Sequence, residues 1–528
     1  MKKPSDSTGK IAKSAGLVGI AVMCSRVLGL VREQVMATLF GAGMAYDSFV
    51  VAFRIPNLLR DLFGEGALSA AFVAVFSDYD TNKGKKATWQ LANNVLSAIA
   101  ILVSLITLLG IVFAGPLVTL IAPDFALITG KAELTRKLTV IMFPFLVFVS
   151  IAAVVMGILN SKGRFFVPSI SSSFFNLGSI VGGVSLAIIL PKFGYPAIVG
   201  MAIGTLIGGF LQMSGQFPTL LKTGFRFKPQ VDLRDPGLRR VFMLMIPAII
   251  GLGATQINIF VNTNFASSCV EGSVSWLNYA FRLVQFPIGV FGVAVSIATM
   301  PVISRYAAQK NFTGIRETYV SALTMAFCLT IPATAGLFLL SEMIVKIIFE
   351  HGQFSMFDTV RTAEALRFYV LGLFAYASVK ITVPVFYALN DTKFPVVASF
   401  LAVGTNILII LLTIDGMQHK AIALSTSCAM FGNFVLLSVV LYRKLSGYSL
   451  SYLVKGFLKV VFATGVMWVW LRFFKDLMAQ SERGFFTEIG GLIFLVCSGA
   501  GVYGGVLYLT RLPELTTLVA KVVGRVRP

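Results

Sequence analysis

The chain reads as an all-α polytopic membrane protein with fourteen transmembrane helices. Apolar runs recur along its whole length, each near the roughly 20 residues that carry a helix across a bilayer core. Of 528 residues, 56% are hydrophobic and only 13% charged, against about 25% charged in an average soluble protein. The mean hydropathy is +0.84. The runs are continuous and do not alternate, which argues against a transmembrane barrel.

The runs centre near residues 25, 62, 101, 147, 179, 209, 253, 291, 328, 375, 405, 431, 462 and 498. The first, second, seventh and eighth are about 30 residues long, so those helices must tilt, break or extend beyond the bilayer. The N-terminus, MKKPSDSTGK, is polar and shows no small-residue cleavage pattern before the first apolar run, which is read as an uncleaved span.

Net charge is +21, from 44 Lys and Arg against 23 Asp and Glu. The basic residues concentrate on one side of the spans: the N-terminus, Lys83/Lys85/Lys86, Lys162/Arg164, the connection from Lys222 to Arg240, Arg305/Lys310/Arg316, Lys393, Arg443/Lys444/Lys455 and the C-terminus. That side is cytoplasmic by the positive-inside rule, and both termini lie there. One loop dissents, with Arg472, Lys475 and Arg483 on the outer side. No basic soluble segment is long enough for a nucleic-acid module. The five cysteines are scattered without a CxxC, and the two histidines, His351 and His419, fall in expected loops as solvent-exposed residues. Neither a disulfide framework, a metal site nor a cofactor is indicated.

The chain also repeats. YAFRLVQFPIGVFGVAVSIATMPVISRY, from Tyr279, echoes VAFRIPNLLRDLFGEGALSAAFVAVFSDY, from Val51; Leu159–Asn160 and Asn176 recur as Leu389–Asn390 and Asn406. The offset is about 229 residues, or six spans, and an even number makes the copies parallel. The expected division is residues 1–222 (first six spans), a cytoplasmic linker at 223–236, residues 237–444 (second six), and two further helices with a basic tail at 445–528.

Charges inside the apolar spans carry the functional reading. SRVLGLVRE places Ser25, Arg26, Arg32 and Glu33 in the first span. AFRIPNLLRDLFGEGALSAAF places Arg54, Arg60, Asp61 and Glu65 in the second, with Pro56, Gly64 and Gly66 as hinge candidates. Arg282 lies in the eighth. An arginine at a helix centre costs about 2.5–3.5 kcal/mol on the lenient insertion scale, so five exposed to lipid would cost on the order of 12 kcal/mol. The five must face water, counter-charges or a ligand. A guanidinium fork matches phosphate oxygens and keeps its charge when desolvated. The set therefore describes an anion site in a water-filled cavity, with the interleaved acids and Asp47 limiting repulsion when it is empty. The second copy keeps only Arg282 of this pattern, which suits a large amphiphile with one anionic head. Asn258, Asn262 and Asn264 of the seventh span either line the cavity or bond across helices. No carboxylate in that span marks a coupling-ion site.

At these residues the sequence resembles the MurJ/MviN family, the lipid II flippases of bacteria. The signatures are SRVLGLVRE, FGAGMAYDSFVVAFRIPNLLRDLFGEGALSAAFVAVF and SVSWLNYAFRLVQFPIGVFGVAV. The resemblance covers essentially the whole chain. It implies the MOP exporter superfamily: a V of two six-helix lobes, an N-lobe and a C-lobe, with the last two helices forming a groove for the lipid tail. It implies movement of the undecaprenyl-pyrophosphoryl disaccharide-pentapeptide across the inner (cytoplasmic) membrane, with lipid II and membrane lipids as partners. The family's head-group residues match Ser25, Arg26, Arg32, Arg60 and Arg282. Glu33 stands where some relatives have Asp, and Phe281 where some have an acid. A monomer is expected, because the repeat already supplies both halves of a transporter. Another exporter of the superfamily, for polysaccharide units or drugs, is the alternative; a drug antiporter would want acids and aromatics where this chain has arginines. A lipid-linked membrane enzyme would need a carboxylate, base or metal cluster at a membrane face.

Overall fold

The computed structural model describes residues 4–62, 66–479 and 485–512, and every element in them is helical. Gly64 and Glu65, and Arg483 of the dissenting loop, lie outside the described residues. Contacts divide the chain into two compact units, at Ser275/Trp276.

The first unit holds α1 (Pro4–Phe40), α2 (Met44–Arg60), α3 (Ala67–Asn82), α4 (Gly84–Val112), α5 (Ala114–Ile121), α6 (Lys131–Met142), α7 (Phe145–Ser161), α8 (Phe166–Ile189), α9 (Ala197–Ser214), α10 (Phe217–Leu221) and α11 (Pro236–Ser267). Its main core joins α3, α4, α7 and the start of α11 through Phe72, Phe76, Val95, Ile158 and Val241. The helices α8 and α9 approach backbone to backbone: a Cβ on Gly204 would stand 2.5 Å from the Gly183 Cα. Small residues at such crossings let apolar helices pack without a hydrophobic driving force.

Between α10 and α11, residues 222–235 form a strap fastened to α4. The Asn93 amide donates to the Arg226 carbonyl at 3.2 Å and accepts from Lys228 N at 2.9 Å. Ser97 Oγ accepts from Gln230 N at 3.2 Å. Asn94 accepts from Asp232 N at 2.8 Å and donates to its carbonyl at 2.9 Å. Bonding at every second residue is the habit of extended backbone. Asp235 then caps α11, accepting from Gly237 N at 2.9 Å, with Pro236 at the first helical position. The linker expected at 223–236 is thus part of the first unit, and α11 packs on α3, α4 and α5 of that unit. The contact boundary therefore falls after α11.

The helix α12 (Ser273–Pro287) crosses the boundary. The second unit continues through a π-helical turn (Ile288–Val293), α13 (Ala294–Ala308), α14 (Phe312–Leu339), α15 (Ser341–Phe349), α16 (Met356–Val370), α17 (Leu373–Ala388), α18 (Lys393–Met417), α19 (His419–Lys444), α20 (Leu450–Ala479) and α21 (Phe485–Leu509). Its core centres on Tyr319, Leu323, Ile381, Phe386 and Leu437. The last two helices pack on α14 and α15, where Tyr503 Oη donates to the Cys328 carbonyl at 2.7 Å. Two of the dissenting cations have partners here: Arg472 bonds Asp476 at 2.9 Å, and Lys475 donates to the Leu339 carbonyl at the end of α14, at 2.9 Å.

Eleven helices among the described residues are long and apolar enough to cross a membrane, and the bent pair α16–α17 makes a twelfth. Neither α1 nor the α2–α3 pair is among them. These are the two runs in which the sequence places four of the five arginines.

Removing the strap's anchors tests its attachment. The double variant Asn93→Ala/Asn94→Ala should speed trypsin cleavage at Arg226 and Arg234 in the folded protein, followed by gel and mass spectrometry. An unchanged cleavage rate would show that the strap does not depend on these side chains.

Candidate functional site

In α1, Arg32 and Glu33 form an ion pair, Arg32 Nη2 to Glu33 Oε1 at 2.9 Å. Glu33 is buried and also accepts from Tyr46 Oη of α2. The guanidinium lies 5.3 Å from the Phe175 ring of α8, so it is held between a carboxylate and an aromatic face. From the same helix, Asn176 Nδ2 donates to the Ser25 carbonyl at 3.1 Å, fastening α1 beside Arg26. Ser25 and Arg26 are half-buried.

The same device recurs at the end of α2. Arg60 donates to Asp61 Oδ1 from Nη2 at 2.9 Å and from Nε at 3.2 Å. Gln256 of α11 donates to Asp61 Oδ2 at 3.2 Å. Sequence reasoning missed Gln256, which sits in an apolar run without a charged neighbour. Asn264 of the same helix donates across to the Leu120 carbonyl of α5 at 3.2 Å. Arg54 lies half-buried on α2, and Arg282 half-buried on α12 in the second unit.

Of the hinge candidates, Pro56 and Gly66 lie among the described residues. Buried Pro56 lies inside α2, and the helix continues through it to Arg60. Asp61 and Leu62 follow as π-helical residues, and α3 begins after Gly66. At Gly66 a Cβ would stand 2.4 Å from the Asp61 carbonyl oxygen and 2.6 Å from Leu252 Cδ1, so the close approach admits only glycine.

A correction concerns Asp47, expected to balance the arginines. It is buried and fully engaged elsewhere. Its Oδ2 accepts from Lys131 Nζ of α6 at 2.8 Å and from Gly272 N at 3.0 Å. Its Oδ1 accepts from Ser275 N at 2.9 Å and Ser275 Oγ at 2.6 Å. Beside it, Glu271 accepts from Met44 N at 2.8 Å, capping α2. Asp47 sits in the first turn of α2, so its carboxylate meets the α11–α12 connection and Lys131, while Arg54 is about two turns further along.

In the second unit, α12 is fixed ahead of Arg282 by Trp276, whose Nε1 donates to Asp358 Oδ1 at 2.9 Å. Asp358 also forms a capping box with Ser355 at the start of α16. Phe281, directly before Arg282, packs on Tyr369, with ring centroids 5.4 Å apart. His419 is not the exposed loop residue expected: it opens α19, buried, with its ring 5.1 Å from Trp276. No group of three or more His, Cys, Asp or Glu suited to a metal occurs among the described residues.

Long apolar helices that hold half-buried arginines on adjacent carboxylates are the architecture of a polytopic membrane transporter. The fold agrees: an inward-facing multidrug-resistance MATE transporter of the MOP superfamily aligns with TM-score 0.60 over 81% of this chain and 94% of its own, at 14% identity, a likeness of fold alone. The sequence profile described as "Lipid II flippase MurJ" matches residues 36–489. A probable lipid II flippase MurJ from Vibrio cholerae is 35% identical over 435 residues, 81% of this chain and 82% of that protein. One from Bdellovibrio bacteriovorus is 32% identical over 512 residues, 96% of each. A solved lipid II flippase MurJ, in an inward closed conformation, aligns with TM-score 0.77 and 26% identity over 96% of this chain and 99% of its own. The chain belongs to the lipid II flippase MurJ family.

The Asp47–Lys131 pair should behave as a buried pair. Asp47→Asn leaves the Lys131 charge uncompensated and should destabilise by about 3–5 kcal/mol, whereas adding Lys131→Met should recover much of that loss. Thermal unfolding of the purified protein in detergent measures both. A double variant no better than the single would show that the hydrogen bonds to Gly272 and Ser275 outweigh the ion pair.

Proposed function

We propose that this chain moves lipid II from the cytoplasmic to the outer leaflet of the bacterial inner membrane by alternating access, as a monomer. The observation that carries the reading is family membership across nearly the whole chain. The residues supply the chemistry. Arg26, Arg32, Arg54 and Arg60 of the first unit, with Arg282 of the second, provide guanidinium groups for the pyrophosphate; Ser25 and Glu65 contribute to the same head-group site. Glu33 and Asp61 hold Arg32 and Arg60 when no anion is present, and the phosphate then competes for the guanidinium forks.

The topology follows. To the twelve apolar spans this reading adds two more, α1 and the α2–α3 pair, whose helices of 17 and 16 residues are each too short to cross alone. The result is fourteen spans in two parallel six-span repeats, residues 1–222 and 237–444, with both termini cytoplasmic. The π-helical residues Asp61 and Leu62 after Arg60 and the π-helical turn Ile288–Val293 after Pro287 fall at about the same register of the two sequence repeats. The helices α20 and α21 form the apolar groove for the prenyl tail, which is too long for a cationic cavity.

Replacing Arg32, Arg60 or Arg282 singly by Ala should abolish complementation of a flippase-depleted cell at unchanged membrane level. Lys should rescue poorly, being a point charge without the fork. Full rescue by Lys at all three positions would sink the bidentate reading.

The membrane potential assists both half-cycles in this scheme. The cell interior is negative, so carrying one negative charge outward across 100 mV is favourable by about 2.3 kcal/mol. The empty site carries surplus positive charge, and the same field draws it back. No carboxylate in α11 is needed for coupling, and its sequence contains none. Collapsing the potential with an ionophore, at fixed pH and sodium gradients, should slow the appearance of lipid II in the outer leaflet. Unchanged flux would refute this drive.

A further inference from the structure

The strap between α10 and α11 has a pattern that flippase chemistry does not use. Residues 225–234 read FRFKPQVDLR. Every odd position is apolar (Phe225, Phe227, Pro229, Val231, Leu233) and every even one polar (Arg226, Lys228, Gln230, Asp232, Arg234). With alternate backbone groups from Arg226 to Asp232 tied to α4, residues 225–232 form an amphipathic extended chain with odd and even side chains on opposite faces, and Leu233 and Arg234 follow in a turn. Only Phe225 is buried, against Trp89. Phe227, Val231 and Leu233 are 53%, 48% and 66% exposed. A strand with strict alternation normally covers its apolar face, and within its own unit this one does not.

We propose that the strap is a lipid-binding element: Phe227, Val231 and Leu233 enter the acyl boundary of the cytoplasmic leaflet, and Arg226, Lys228 and Arg234 hold anionic phospholipid phosphates. Position supports this occupant, because both flanking elements, Ala197–Leu221 and Pro236–Ser267, are membrane spans, so both ends of the strap start from the membrane surface. Charge supports it as well. Lys222 and Arg239 add to the three basic residues, while the acids are occupied: Asp232 accepts from Arg234 N at 2.8 Å, and Asp235 caps α11. The cytoplasmic leaflet is anionic and attracts such juxtamembrane clusters, and apolar side chains between the cations deepen the contact. The three anchors Asn93, Asn94 and Ser97 pre-order the chain, which removes part of the entropy that a free linker would lose on binding.

The test is cysteine accessibility in the full-length protein, reconstituted in vesicles of phosphatidylcholine with or without phosphatidylglycerol. Single variants Phe227→Cys, Gln230→Cys, Val231→Cys, Asp232→Cys and Leu233→Cys are labelled with a membrane-impermeant maleimide on the strap's side. Reaction is read peptide by peptide by mass spectrometry, so the native cysteines do not interfere. In anionic vesicles positions 227, 231 and 233 should react on the order of tenfold more slowly than 230 and 232, and the contrast should shrink without phosphatidylglycerol. Each of Arg226→Gln, Lys228→Gln and Arg234→Gln should weaken the protection about fivefold. Equal rates at all five positions would overturn the proposal. So would an alternation that appears in native membranes and not in anionic vesicles, since that assigns the face to a protein partner. A contrast indifferent to phosphatidylglycerol would overturn the phosphate contacts. None of these readouts depends on lipid II movement, so the result stands apart from the flippase reading.

Discussion

A guanidinium cannot be left in hydrocarbon, and the first unit is organised around that constraint. Arg32 and Arg60 each lean on the next residue, Glu33 and Asp61, and each of those acids is itself held by a neighbouring helix, through Tyr46 and Gln256. The arrangement serves two opposed needs. An ion pair with an adjacent residue lowers the cost of an empty site. A pair between adjacent residues also has poor geometry for a bidentate fork, which leaves room for a phosphate to compete. Pairing each arginine with a distant, better-placed acid would bury the charge more securely and make it less available.

How much of this was legible in the sequence varied with distance along the chain. The pairs Arg32–Glu33 and Arg60–Asp61 were readable because the partners are adjacent. The role of Asp47 was not, because its donors come from Lys131, Gly272 and Ser275, far away in the chain, and only folding brings them together. Proline signals a disturbed helix, yet α2 continues through Pro56 to Arg60, and the need for a glycine at Gly66 comes from the Asp61 carbonyl and Leu252, which no local pattern shows. His419 looked like a loop residue because polar neighbours flank it; Trp276 covers it. The alternation in FRFKPQVDLR was visible in the sequence throughout. It became informative only when Asn93 and Asn94 were seen to hold that backbone extended.

The two copies of the sequence repeat differ in chemistry. Asn176 and Asn406 occupy matching places, and Asn176 has acquired a bond to α1 beside the arginines. Asp61 and Leu62, at the end of α2, are π-helical, and Ile288–Val293 form a π-helical turn directly after α12. Single π turns inside helices tend to mark functional positions, and this one follows Arg282 by less than two turns. The concentration of arginines in the first copy fits a substrate with one anionic head better than a symmetric one.

The helix α11 connects these observations. Its start is fixed through the strap, by Asn93 and Asn94 of α4 and by its own cap at Asp235. Its end runs into Gly272 and Ser275, which are bound to Asp47 of α2. A helix pinned to one unit at both ends cannot act as a loose tether, and this is why the contact boundary falls after it and not at the linker. Its middle is built differently. Pro247 removes a backbone donor, and at Gly251 and Gly253 nothing lies within 4 Å of where a Cβ would be. Proline and glycine are where helices bend. Any change of shape that alternating access requires of α11 is therefore directed to its centre, beside Gln256 and its bond to Asp61. Bending there would alter the support of Asp61, and with it the hold on Arg60. The strap and the Asp47 knot would thereby couple the shape of α11 to the charge environment of the anion site, without requiring a titrating residue in the helix itself.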